Sequence, residues 1–265
     1  MKRWFGNVFP AALVLALALV LAGCGGGGGE QGGGGEEPEQ VTVASDIAYP
    51  PFEFNEGGEP TGFDIDLMNE IAKRANLEVE YQNVRFDSII QGLGNNLYDA
   101  AISAMTITPE REEQIDFSEP YFNADQSLLV ESDSDIRSTD DLADATVGVQ
   151  IGTTGAAEAD KLKEEGKIAT VRTYNVVTDA FNALENGQVD AVINDFPVSA
   201  DRASQSEGQL EIVQNIPTGE QYGIAFPTDS ELRPRVNKAL QEIKEDGTYE
   251  EIYQKWFNEK PEEIP

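Results

Sequence analysis

The chain has 265 residues, 49 acidic against 18 basic side chains, a formal charge of −31, one cysteine and no histidine. So negative a surface repels nucleic acid and anionic lipid, and no nucleic-acid partner is expected. Without an imidazole there is neither a histidine general base nor a histidine metal ligand, and one cysteine allows no internal disulfide, so no metal or other cofactor is expected.

Residues 1–23 read as a secretory signal. Lys2 and Arg3 supply a charged start; residues 8–20 are apolar, interrupted by Pro10 and too short to span a membrane comfortably. Without those two cations the balance is 16 basic against 49 acidic side chains, or −33. The signal ends in Leu21-Ala-Gly-Cys24, which resembles a lipoprotein signal box. That resemblance implies cleavage before Cys24, lipid on its sulfur and attachment to the outer face of a membrane. The alternative is an ordinary secretory signal that holds the sole cysteine. Residues 24–40, mostly Gly, Glu and Gln, have nothing to bury and read as a flexible tether. Their glycine run is no phosphate loop, because no Gly-Lys-Ser/Thr follows it and no strand leads into it.

From residue 41 the pattern alternates. Strands are expected at 41–45 and 79–84, around a helix at 66–75 with Leu67, Met68, Ile71, Ala72 and Ala75 on one face. The acids of Gly62-Phe-Asp-Ile-Asp66 suit a helix start, with Asp64 or Asp66 capping, better than a metal site. Asp87 can cap a short helix carrying Ile89, Ile90 and Leu93. A strand at 100–103 leads into a helix with Thr108 as N-cap and Pro109 in the first turn. A second set follows: a strand at 147–149, a helix from about Thr154, a strand at 169–173, a helix at 178–186 and a buried strand at 191–194. The tail adds a strand at 222–226 and helices at 232–245 and 249–257. This order argues for an α/β fold with mainly parallel sheets.

The stretch from Asp99 to Arg111 carries the most chemistry. Open α/β sheets bind ligands at the carboxyl ends of their strands, and helix starts attract anions. Ser103 and Thr106 offer hydroxyls there, and Arg111 offers a fork that holds a carboxylate through two hydrogen bonds. On those residues alone a strand-to-helix turn with a surface Arg remains the other reading.

This run, Asp99-Ala-Ala-Ile-Ser-Ala-Met-Thr-Ile-Thr-Pro-Glu-Arg111, resembles a signature of the polar amino-acid-binding proteins of ABC importers, the bacterial extracellular solute-binding proteins of family 3. Four further stretches resemble that family in the same order: Ala44-Ser-Asp-Ile-Ala-Tyr-Pro-Pro-Phe-Glu-Phe54, Gly62-Phe-Asp-Ile-Asp-Leu67, Val147-Gly-Val-Gln-Ile-Gly-Thr-Thr-Gly155 and Gly247-Thr-Tyr-Glu-Glu-Ile-Tyr-Gln-Lys-Trp-Phe257. The likeness runs from about 41 to 259. It implies a type II periplasmic-binding-protein-like fold. Lobe 1 would be 41–122 with 222–259, lobe 2 would be 127–217, and hinge crossings would lie at 123–126 and 218–221. Pro217, Thr218 and Gly219 suit a turn at the second crossing.

By the same resemblance, Arg111, Thr106 and Ser103 hold the α-carboxylate of an amino acid from lobe 1, and Thr154 holds it from lobe 2. Asp195 accepts the α-ammonium; read from the residues alone, it caps the segment starting at Pro197 equally well. Asp46, Tyr49, Phe86 and Gln150 form the side-chain end, with Tyr49 and Phe86 either sandwiching the ligand or serving as core. A cation between two rings beside a carboxylate gains about 0.5–2 kcal/mol per cation–π contact, which favours a basic amino acid, with glutamine as runner-up. Ala104 stands where basic-amino-acid binders often carry Ser, so one hydroxyl is missing. No catalytic residue is expected. The resemblance implies a monomer that delivers its amino acid to membrane permease subunits. Because the chain stops at Pro265, no appended catalytic domain is expected. A dehydratase-like enzyme and a receptor module are the competing functions.

Overall fold

The computed structural model describes residues 37–265. Cys24, the signal at 1–23 and the tether up to residue 36 lie outside the described residues. No helix among the described residues is long and apolar enough to cross a membrane. In chain order the elements are β1 (Glu39–Ser45), β2 (Phe54–Glu56), β3 (Glu59–Thr61), α1 (Phe63–Ala75), β4 (Leu77–Asn83), α2 (Phe86–Gly94), β5 (Ala100–Ala101) and α3 (Pro109–Glu112). They continue with β6 (Asp116–Phe117), β7 (Phe122–Glu131), β8 (Thr146–Gln150), α4 (Thr154–Glu164), β9 (Thr170–Tyr174) and α5 (Val177–Glu185). The chain closes with β10 (Ala191–Asp195), α6 (Phe196–Gln205), β11 (Leu210–Tyr222), β12 (Ala225–Phe226), α7 (Leu232–Glu245) and α8 (Thr248–Phe257).

Two five-stranded sheets result, ordered β4-β1-β5-β12-β6 and β11-β7-β10-β8-β9. Each is mixed rather than mainly parallel. β1 runs parallel to β4 and β5, but β12 returns antiparallel against β5 and β6. Likewise β8 is parallel to β9 and β10, whereas β7 is antiparallel to β10 and β11. The antiparallel strands β7 and β12 are those that the chain enters on passing from one sheet to the other over a short link, from β6 to β7 and from β11 to β12.

The elements expected from the sequence appear with shifted ends, whereas β2, β3, β6, β7, α6 and most of β11 lie where the sequence pattern gives no element, and the strand expected at 222–226 divides between the end of β11 and β12. Glu39 and Gln40, expected in the tether, pair with Leu77 and Glu78, so β1 starts two residues earlier. Neither Asp64 nor Asp66 caps α1. Its N-cap is Gly62, whose φ of 133° and close approach to the Phe52 carbonyl leave no room for a Cβ. Asp64 turns into the core instead, and Asp66 accepts a hydrogen from the Trp256 ring nitrogen at 2.7 Å. Asp87 does not cap α2 either: Arg85 holds that position, and Asp87 sits in the first turn, paired with the Arg85 guanidinium. Thr108 caps α3 by accepting a hydrogen from Arg111 N, with Pro109 first in the helix, as the sequence predicts.

β7 and β11 pair from Leu210↔Glu131 to Tyr222↔Phe122, with a shift of register between Ile216 and Glu220. The turn expected at 217–219 is therefore an irregularity within one long strand. There Asp125 Oδ1 accepts hydrogens from the backbone N–H groups of both Thr218 and Gly219, each at 2.9 Å. Below the strands, Phe52, Phe63, Phe122, Tyr222 and Phe257 pack ring against ring. Burying each such ring contributes about 1.5–3 kcal/mol, so the roots of β7 and β11 are firmly held.

Candidate functional site

All nine residues that the sequence analysis assigns to ligand binding line one cavity, together with Glu53, Ala104 and Thr153. They arrive from separate elements. β1 delivers Asp46 just past its end, and the Asp46 N–H donates to Ser103 Oγ at 3.0 Å. Arg111 sits on α3, only 7% exposed. Its Nη1 donates to the Thr106 carbonyl at 2.6 Å, its Nη2 to the Gly152 carbonyl at 3.0 Å, and its guanidinium lies 5.4 Å from the centre of the Phe86 ring. Burial lowers the guanidinium's proton affinity while Asp195 and Glu220 raise it, and an arginine so placed stays charged.

The facing wall comes from the second sheet. β8 ends at Gln150, whose Nε2 donates to Asp46 Oδ2 at 2.6 Å and to the Asn175 carbonyl at 3.2 Å. Thr153 caps α4 by accepting from Ala156 N, which leaves Thr154 as its first residue with the hydroxyl turned to the cleft. Gly155 makes this possible, because a Cβ there would stand 2.9 Å from Gln126 Oε1 and 3.0 Å from the Ile193 carbonyl. β10 ends at Asp195, which occupies the N-cap position of α6 without a side-chain capping bond. Its carboxylate accepts hydrogens from the Tyr49 hydroxyl at 2.8 Å, from the Tyr222 hydroxyl and from Gln126 Nε2.

The two walls touch. Gln150 meets Asp46, Tyr49 meets Asp195 and Asn194, Arg111 meets Gly152, and the Thr106 and Thr154 hydroxyls lie 3.3 Å apart. The space left admits the centre of a water-sized sphere over only about 10 Å³, room for about one water. Besides Glu53, two buried carboxyls line this space. Burial pushes Asp46 up to about 6, opposed by the Gln150 bond, and Asp195 up to about 6, opposed by the Tyr222 and Tyr49 bonds.

Four residues escaped the sequence reading. Gln126 and Tyr222 hold Asp195. Glu220 Oε2 accepts from Thr154 at 2.7 Å, Thr106 at 3.1 Å and Gln126 at 3.1 Å, so one carboxylate ties the hydroxyls of both walls. Glu53 takes the hydrogen of the Ser103 hydroxyl at 2.8 Å, which leaves Ser103 Oγ without a hydrogen for a ligand. Gln126 lies on β7 and Glu220 on β11, within the stretches expected from the resemblance to be crossings, and that expectation was the one signal available for them. In sum, a buried guanidinium and hydroxyls gather at one end, a tyrosine-bound carboxylate beside them and a second carboxylate farther along. This is chemistry suited to a small zwitterion with a polar side chain.

Two mixed sheets joined through long crossing strands, with a polar cleft at their strand ends, define a type II periplasmic binding protein. The chain belongs to the bacterial extracellular solute-binding proteins, family 3, whose pattern matches residues 41–259. It is 33% identical to the arginine-binding extracellular protein ArtP of Bacillus subtilis (strain 168), over 97% of this chain and 98% of that one. Among solved structures, the arginine-, lysine-, histidine-binding protein ArtJ of Geobacillus stearothermophilus is 38% identical, with a TM-score of 0.80 over 84% of this chain and 97% of its own. An ancestral amino acid-binding protein described as a precursor of cyclohexadienyl dehydratase is also 38% identical, with a TM-score of 0.75 over 82% of this chain and 95% of its own.

Proposed function

We propose that this protein is the substrate-binding component of an amino-acid ABC importer, capturing a basic L-amino acid of the arginine, lysine or histidine type. The observation that carries this reading is the convergence of Arg111, Thr106, Thr154 and Asp195 on one cleft, with Asp46 and Gln150 beyond them. Arg111 with the two hydroxyls takes the α-carboxylate, Asp195 takes the α-ammonium, and Asp46 takes the cationic side chain between Tyr49 and Phe86. Ser103 contributes by holding Asp46 and the 103–106 turn in place. The relatives named for arginine, lysine and histidine support the basic ligand.

The mechanism is hinge closure. Lobe 1 (41–122 with 222–259) and lobe 2 (127–217) part at the crossings 123–126 and 218–221, and an amino acid replaces the contacts between the walls. The closed monomer then docks on permease subunits, tethered to the outer face of the membrane through lipid on Cys24. Removing one partner of a buried ion pair costs on the order of 3–5 kcal/mol. Arg111→Ala or Asp195→Ala should therefore weaken arginine binding at least a hundredfold in calorimetry while the fold survives. Arg111→Lys should also bind poorly, since it lacks the fork. Near-normal affinity in either alanine variant would overturn the assignment.

The resemblance to a dehydratase precursor favours one second reading, an enzyme on the same fold. Incubation with cyclohexadienyl compounds decides between them. Turnover would establish the enzyme, whereas saturable binding of arginine without chemical change supports transport.

A further inference from the structure

Two buried carboxylic acids, Glu53 on the cavity wall and Asp64, bond to the Ser103–Ala104 turn. Glu53 follows the Tyr49-Pro-Pro-Phe segment, Asp64 is the second residue of α1, and neither has any solvent exposure. Glu53 Oε1 accepts the Ser103 hydroxyl hydrogen at 2.8 Å. Asp64 Oδ2 accepts the Ala104 N–H at 2.8 Å and the Tyr121 hydroxyl at 2.7 Å. The remaining oxygens, Glu53 Oε2 and Asp64 Oδ1, are buried and meet no donor, and the Asp64 N–H donates to the carbonyl of Phe52, the residue before Glu53, at 2.9 Å, so the two acids are neighbours. Two neighbouring carboxyl oxygens left without donors satisfy each other only when a proton lies between them. We propose that Glu53 and Asp64 share one proton and that this joined pair is the positioning element of the Ser103–Ala104 turn that presents the ligand-carboxylate site.

The turn needs such a support. Ala104 lies in the left-handed region at φ 43°, a conformation that costs a residue with a Cβ about 1–2 kcal/mol. Its N–H is fixed by Asp64, and the Ser103 side chain before it is fixed by Glu53. The titratable groups facing the pair are Asp46 beyond β1, Tyr49 in the following loop, Tyr81 on β4, Tyr121 before β7 and Tyr249 on α8. Of these only Asp46 carries a charge near neutrality, and it is negative, so it favours keeping the proton. Burial raises both acids, Asp64 to about 6 and Glu53 well above the usual range. The folded pair thus holds a proton that the unfolded chain releases near pH 4.5. Stability is lost as the pH rises from there until the last proton leaves.

Amide substitution tests the arrangement. Glu53→Gln and Asp64→Asn each keep one donor between the facing oxygens. Each single variant should melt within a few degrees of the parent at pH 7, and Glu53→Gln should lose less stability than the parent between pH 6 and 9. The double variant sets two NH₂ groups face to face, and its melting temperature should fall at least 10 °C beyond the sum of the singles. A double variant no worse than the sum of the singles, or a Glu53→Gln pH slope equal to the parent's, would overturn the shared proton. The second half rests on the proposed ligand site: L-arginine affinity should stay within about threefold in the singles and drop at least tenfold in the double. Unchanged arginine affinity in a destabilised double variant would overturn the positioning role. If the parent itself bound neither L-arginine nor L-glutamine, the functional reading would be what fails, and the melting data alone would judge the shared proton.

Discussion

Asp46 is the residue on which ligand choice turns. Asp46→Asn keeps its shape and most of its hydrogen bonding but removes the charge. Arginine should then lose about 1–3 kcal/mol of binding, the worth of a hydrogen bond to a charged group, while glutamine loses little. Equal losses in calorimetry would make Asp46 structural. Its titration gives a second check. Asp46 and Asp195 are both raised to about 6, against about 3.9 in an unfolded chain. Raised carboxyls give stability that is complete below about pH 4 and is lost as the pH climbs to 6. Binding of a cation runs the other way, since it needs the ionised form. Arginine affinity should fall below pH 6, by up to about tenfold per pH unit for each group that protonates, whereas the melting temperature of the protein alone should rise. Most side chains facing the cleft follow the end of a predicted strand or lie in the first turn of a helix, but their roles, and the places of Tyr49 and Thr106, were legible only through the family resemblance. Glu53 and Asp64 were not, because an isolated acid in a sequence reads as a cap or a solvated charge, and only the fold shows that Ala104 and Tyr121 await it.

Among the elements, α1 shows how a helix start can depend on one backbone position. Gly62 has φ 133°, and a Cβ there would lie 2.0 Å from the Phe52 carbonyl oxygen. Gly62→Ala should destabilise the protein by roughly 3 kcal/mol, the upper range for a residue forced into such a conformation. That corresponds to a fall in melting temperature of about 6–12 °C for a chain of this size, readable by calorimetry. A change under 2 °C would show that the backbone relaxes freely. Apolar spacing gave away most of the helices, though not α6, and α7 falls at Leu232–Glu245 as predicted. The strand directions were hidden, because β12 returns to its sheet through a short link whose apolar pattern is the same whichever way it runs. Asp195 shows the opposite lesson. Its position is that of a cap, yet the hydroxyls of Tyr49 and Tyr222 hold its carboxylate in the cleft, and neither contact is visible from the neighbouring sequence.

At the scale of the whole molecule, the proposed anchor makes a direct prediction. Cys24→Ser should release the protein, unlipidated, into the extracytoplasmic fraction or stall its processing. A variant that is processed normally and stays on the membrane, beside a parent without lipid by mass spectrometry, would refute the anchor. The closed walls carry a second expectation. Since they already satisfy one another, an amino acid gains only the difference between its contacts and theirs. Small amino acids that reach Arg111 and Asp195 but leave Asp46 to Gln150 should give little thermal stabilisation, whereas arginine at 100 times its dissociation constant should add about 2.7 kcal/mol. A larger shift with glycine than with arginine would count against this exchange. Finally, Asp125 belongs to one crossing and grips the backbone of the other at Thr218 and Gly219. Two separate straps would let the halves shear and roll as well as bend. If the halves part as proposed, the single carboxylate that stitches the crossings together should make them act as one axle and return Arg111 to the same place opposite Asp195 at each closure.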